Sequence, residues 1–123
     1  MILVDTSVWI DHLRAGDANL ALRLEAGEVL AHPFIIGELA LGNLKQRESI
    51  LAAMQSLPQA SVATEEEVLL FIEQHKLFGL GIGYVDAHLL SAARLTPGTV
   101  LWTRDKRLLV AANQLGLAAR QMH

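Results

Sequence analysis

Four of the thirteen acidic residues in this 123-residue chain stand where a solvated carboxylate has no obvious reason to be. Asp5 closes the apolar run Ile2-Leu3-Val4, which reads as a strand buried on both faces. It therefore points out of the carboxyl edge of a sheet, where open α/β folds bind their ligands. Asp105 lies three residues beyond a second such run, Thr99-Val100-Leu101-Trp102, and opens a helix. Glu38 has Phe34, Ile35, Leu41 and Gly42 within a helical turn, and Asp86 shares a stripe with Leu89, Leu90 and Ala93. Both are thus expected to project from apolar helix faces. Helix capping is an alternative role for Asp5 and Asp105. Glu38 and Asp86 are harder to dismiss, since a buried charge costs several kcal/mol unless something offsets it.

Carboxylates gathered at one place repel, and some stay protonated unless a cation sits between them. The chain has no cysteine, and His88 is the one imidazole near these acids, so the implied donor set is all oxygen. Oxygen donors select hard divalent ions such as Mg²⁺ or Mn²⁺ over zinc. Such ions suit phosphoryl chemistry, where they activate water and neutralise the leaving oxygen. Spacing alone does not bring the four acids together; each simply breaks its local pattern.

The other acids have ordinary explanations. Glu65, Glu66 and Glu67 occupy a helix first turn, where negative charge is favourable. Asp11, Asp17, Glu25, Glu28, Glu48 and Glu73 fall on polar faces or near element ends. With 52% hydrophobic and 19% charged residues the chain is not disordered. Its net charge of −3 argues against a nucleic-acid coat protein, whose footprint is basic. Setting the four unusual acids aside leaves nine against ten bases, close to balance. The start of the chain has no basic leader, and the apolar stretch from Leu77 to Val85 is broken by Gly79, Gly81 and Gly83. A soluble, cytoplasmic protein of one domain, residues 1–123, is expected.

The elements that must position the acids follow from capping and periodicity. Helices are expected over Val8–Leu13, Asp17–Ala26, Phe34–Leu41, Lys45–Leu57 and Tyr84–Leu95, with another from Asp105 to Leu115. Thr64 and Glu67 form a capping box for a further helix reaching about Leu77. Val29-Leu30-Ala31 reads as a second strand, Ala60-Ser61-Val62 as a third, and the tail as a last short one. Strands alternating with helices predict an α/β fold with a mostly parallel sheet.

In order and spacing, the segments Met1-Ile2-Leu3-Val4-Asp5-Thr6-Ser7-Val8-Trp9-Ile10, Gly37-Glu38-Leu39, Tyr84-Val85-Asp86-Ala87-His88-Leu89 and Trp102-Thr103-Arg104-Asp105 resemble the PIN-domain ribonucleases. The likeness spans essentially the whole chain and is closest to the VapC-type toxins of bacterial toxin–antitoxin pairs. No one motif is specific; the four in succession are. The resemblance implies an α/β/α sandwich with Asp5, Glu38, Asp86 and Asp105 around one or two Mg²⁺ or Mn²⁺ ions, supported by Ser7 and Thr103. It implies metal-dependent hydrolysis of RNA leaving a 5′-phosphate and a 3′-hydroxyl, a cognate VapB-type antitoxin, and a homodimer. Many relatives carry a further acid where this chain has Arg107.

Arg104, Lys106 and Arg107 beside Asp105, with Lys45 and Arg47 after the Glu38 helix, are candidates for a phosphate-binding rim. His88 is expected to pack or to face solvent. Phe34, Leu44, Phe71 and Phe78 are candidates for an antitoxin groove or dimer face, or for the core. The Gly79-x-Gly81-x-Gly83 stretch lacks the G-x-G-x-x-G spacing and reads as a loop. Two rival functions remain: a partner-binding module without catalysis, and a metal-dependent phosphatase built on Asp5. The phosphatase pattern wants a second aspartate two residues on, where Ser7 stands.

Overall fold

The structure, a computed structural model, describes residues 1–120. Three short parallel strands form its sheet in the order β2-β1-β3: β1 (Ile2–Val4), β2 (Val29–Leu30) and β3 (Val100–Trp102). Ile2 pairs with Val29 on one side and with Val100 on the other, and Val4 pairs with Trp102. Leu3, Val4 and Leu101 are fully buried, as continuous apolar strands covered on both faces must be. Among the described residues seven helices surround the sheet: α1 (Thr6–Ala15), α2 (Ala18–Glu25), α3 (Pro33–Leu41), α4 (Arg47–Ser56), α5 (Glu65–His75), α6 (Tyr84–Leu95) and α7 (Lys106–Gln114). The expected α/β/α layering is what results.

Local signals explain most boundaries. Pro33 starts α3, as its fixed φ and missing N–H allow. The Thr64–Glu67 capping box is formed, with bonds of 2.9 and 3.1 Å. Asp17 and Asp105 cap α2 and α7 through their side chains. Helix α1 begins earlier than periodicity indicates, because the Asp5 carbonyl accepts from Val8 and Trp9. Helix α4 begins later, at Arg47, because Gln46 adopts a left-handed conformation with φ 52°.

Two expected strands shrink to single bridges. In place of Ala60-Ser61-Val62, Gln59 alone pairs with Ala31, through bonds made by Pro58 and Ala60. Pro58 has no N–H to extend the ladder in one direction, and Pro33, where α3 begins, has none to extend it past Ala60 in the other. In the tail, Ala118 bridges to Leu101. The core around the sheet includes the fully buried Leu20, Ile35, Leu89, Leu90, Trp102 and Leu108. Helix α6 packs on both α5 and β3, while α3 packs on α1 and α4. Those contacts fix the two helices that carry Glu38 and Asp86 relative to the strands that end at Asp5 and Asp105.

Candidate active site

Asp5 leaves β1 at the sheet's carboxyl edge, with its backbone N–H bonded to the Trp102 carbonyl at 2.9 Å. Its carboxylate is buried, and it is held from two directions: the hydroxyls of Ser7 and Thr103 both donate to Oδ2 at 2.8 Å. The Thr103 oxygen also accepts from the Asp105 N–H at 3.0 Å, and the Ser7 oxygen accepts from the Arg104 N–H at 3.0 Å. One hydroxyl pair thus ties the end of β1 to the turn that follows β3. Asp105 uses Oδ1 to accept the Arg107 and Leu108 N–H groups at the start of α7.

The two helical acids are held differently. Glu38 accepts from the Thr6 hydroxyl at 2.7 Å through Oε1. Asp86, third residue of α6, accepts from the Gly83 N–H at 3.0 Å through Oδ2. The expectation of charges on buried apolar faces needs correction here. Glu38 is exposed, because Ile35 and Leu39 take the buried face of α3, while Asp86 is only partly covered. Sequence spacing identified the acids without showing that α3 turns Glu38 outward. Neither Thr6 nor Gly83 was singled out from the sequence. The Asp5-Thr6-Ser7 run was the one signal available for Thr6.

Electrostatics connects the four. Burial pushes the Asp86 carboxyl above its ordinary value, the Gly83 bond opposes this, and the charges of Asp5, Asp105 and Glu38 raise it further. Acids 19 to 100 positions apart in sequence therefore share one field. Each pins one oxygen, and among the described residues the second makes no side-chain or backbone hydrogen bond. Among those same residues no three His, Asp or Glu groups stand close enough to ligate an ion as placed. The donor chemistry nevertheless fits a hard divalent cation: four carboxylates, one free oxygen each, and a mutual repulsion that such an ion would relieve.

The neighbouring bases take distinct places. Arg104 bridges Asp11 at 2.6 Å and Asp17 at 2.5 Å, and its guanidinium lies 5.8 Å from the Trp102 ring centre. Those bonds hold its charge up and the Asp17 carboxyl down, the latter chiefly through the Leu20 N–H. Arg107 lies across Gly81, where a Cβ would come within 2.7 Å of its Nη1. Lys106 is exposed at the first position of α7. Arg47 donates to the Ala40 and Gly42 carbonyls and so closes the α3–α4 turn.

Among the described residues two histidines are interior. His88 is buried, and its ring lies 4.6 Å from both Phe34 and Tyr84. Burial keeps it below its ordinary pKa. His32, unremarked in the sequence, is wholly buried at the N-cap of α3, where Nδ1 accepts from the Phe34 N–H at 3.0 Å. Burial, with a smaller contribution from His88, lowers its pKa to about 4. Of the residues suggested for a partner surface, Phe71 belongs to the core and stacks on His75, whereas Phe34 and Phe78 are exposed. Leu44 lines a groove of about 430 Å³ with Ile10, Leu13, Leu39 and Ile50. Glu38 is the one site acid on its wall.

Strand-end acids, helix acids and hydroxyl ties make up the candidate site. The PIN domain family matches residues 2–114, and the chain belongs to it. It is 51% identical over 118 residues to Ribonuclease VapC32 of Mycobacterium tuberculosis, found in two strains, covering 96% of this chain and 95% of that protein. It is also 33% identical over 102 residues to Ribonuclease HII of Chloroflexus aurantiacus, covering 81% of this chain and 48% of that one.

Proposed function

We propose that this protein is a ribonuclease that requires Mg²⁺ or Mn²⁺, a VapC-type toxin restrained by a cognate VapB-type antitoxin. The carrying observation is that Asp5, Glu38, Asp86 and Asp105, delivered by separate elements, are each anchored through one oxygen, and that the charges of the other three reach Asp86. Similarity to Ribonuclease VapC32 across nearly the whole chain supports the same reading. Asp5, Glu38, Asp86 and Asp105 would hold the ion, each through the oxygen its own anchor leaves free. When bound, the ion supplies an activated water and neutralises charge on the leaving oxygen.

The protein's own groups do the rest. Ser7 and Thr103 fix the orientation of the Asp5 carboxylate by donating to one of its oxygens from two directions. The Gly83 amide donates to Asp86 and opposes the effect of burial on its carboxyl. Lys106 and Arg107 follow Asp105, are exposed, and would contact RNA phosphates. Arg104, suggested for the same rim, is shared between Asp11 and Asp17 and contributes by fixing the Thr103–Asp105 turn. A cytoplasmic location and a homodimer accompany this reading. Among the described residues no helix is long and apolar enough to cross a membrane.

The test is cleavage of total cellular RNA by purified protein with Mg²⁺, with Mn²⁺ and with chelator. Cleavage is expected only with metal, and Asp5→Asn should abolish it while circular dichroism stays unchanged. Metal-independent cleavage that survives Asp5→Asn would overturn the proposal. Release of phosphate from monoesters without RNA cleavage would favour the phosphatase instead.

A further inference from the structure

Phe34 and Tyr84 are aromatic rings that the acidic site does not use. Phe34 sits one helical turn before Glu38 on α3, and Tyr84 opens α6 two residues before Asp86. Both are partly exposed, at 37% and 49%. Behind them lies the buried His88 ring, 4.6 Å from each, tilted at 56° to Phe34 and nearly perpendicular at 87° to Tyr84. His32 supports Phe34 from the other side, with ring centres 5.2 Å apart. The rings are thus held in place from within while their outer parts face solvent. A recess of about 170 Å³ opens beside Tyr84, walled by Ile72, Leu77, Phe78 and Ile82.

We propose that Phe34 and Tyr84 form a stacking platform that positions an unpaired RNA base beside the acidic site. The proposal rests on the ribonuclease reading and names two residues that position its substrate. Unstacked bases are recognised on aromatic side chains, whereas a duplex keeps its bases stacked and inaccessible. The carboxylates and the bases of α7 address the backbone, and the rings lie within a helical turn of two of those carboxylates. A base turned away from the scissile phosphate reaches the platform with the recess next to it. A protein partner is less well served: the apolar groove along Leu44 and Ile50 includes neither ring in its lining.

The experiment measures binding of a fluorescent single-stranded oligoribonucleotide, by anisotropy, to full-length protein carrying Asp5→Asn to block cleavage. In that background Phe34→Ala and Tyr84→Ala should each weaken binding roughly 5- to 150-fold, the range of one lost stacking contact. Tyr84→Phe should bind as before. Tyr84→Leu, which still covers His88 but has no π-face, should behave like Tyr84→Ala. In the active protein, KM for the same oligonucleotide should rise with the alanine variants, and a perfect RNA duplex should resist cleavage.

Unchanged binding in both alanine variants would overturn the platform, as would full rescue by Tyr84→Leu, which would make the ring structural packing only. A shifted oligomeric state with unchanged RNA binding would assign the surface to protein contact instead. Failure of the unaltered protein to cleave any RNA with Mg²⁺ or Mn²⁺ would remove the ribonuclease reading itself. Cleavage that ignores both rings would remove only the platform.

Discussion

The Thr103 hydroxyl donates to Asp5 Oδ2 at 2.8 Å while its oxygen accepts the Asp105 N–H at 3.0 Å. One buried side chain thereby sets the positions of two acids 100 residues apart. Thr103→Val preserves shape and removes both bonds. It should cost about 1–3 kcal/mol of stability, since polar partners are left unpaired. Cleavage should fall roughly 10- to 100-fold, as when a supporting partner of a metal ligand is lost. Thr103→Ser should retain most of both. Urea unfolding and kcat measured on the same preparations check this.

Burial and three like charges raise the Asp86 carboxyl above its ordinary value, and the Gly83 N–H bond opposes them. Asp86→Asn keeps an acceptor for the Gly83 N–H and removes the charge. Without metal the variant should be more stable than the unaltered protein, by about 1 kcal/mol or less. With excess Mn²⁺ the order should reverse. The unaltered protein gains about 2.7 kcal/mol at a concentration 100 times Kd, and the variant gains little. Thermal melts with and without Mn²⁺ decide it; a variant that gains as much from Mn²⁺ would separate Asp86 from the ion.

His32 titrates at about 4 when folded and near its ordinary 6.5 when unfolded. Between these values the unfolded chain binds the proton and the folded chain does not. Stability therefore falls as pH drops through that window and is fully present above it. The loss from this group is on the order of 3 kcal/mol. His32→Asn keeps a side-chain cap for α3 and has no such titration. Its unfolding free energy should change less than that of the unaltered protein between pH 7 and pH 4. Equal slopes would refute the assignment.

Arg104 joins the turn after β3 to Asp11 on α1 and to the Asp17 cap of α2. Arg104→Lys retains charge but not the fork that reaches both carboxylates. Partly exposed pairs are weak, so a loss of about 1 kcal/mol is expected, shrinking in high salt. KM for RNA should stay nearly constant. A large KM increase with unchanged stability would return Arg104 to the phosphate rim.

What the sequence revealed followed the range of the interaction involved. Tyr84–Leu95 was bounded correctly because its period, its glycine start and its Thr96-Pro97-Gly98 stop are all local. Asp105 was legible as a cap for the same reason. The order of acidic motifs was enough to indicate the PIN fold, which the family match bears out. The role of Arg104 was hidden because its partners lie 87 and 93 positions away and leave no periodic trace. His32 escaped notice because a histidine before Pro33 looks like loop, whereas burial depends on what α3 meets. Glu38 was found for a reason only half right: its apolar neighbours are real, but the helix turns it outward.

The tie between Asp5 and Thr103 closes a span of 98 residues, and β1 has no neighbour in β3 until Val100 to Trp102 exist. A chain emerging from the ribosome carries Asp5 for 98 residues before the hydroxyl that orients it is made. The candidate site is thus completed only when the segment of β3, Thr103 and Asp105 has followed. A protein able to damage the RNA of the cell producing it would stay silent until then. Whatever restrains it needs to act only on the finished fold.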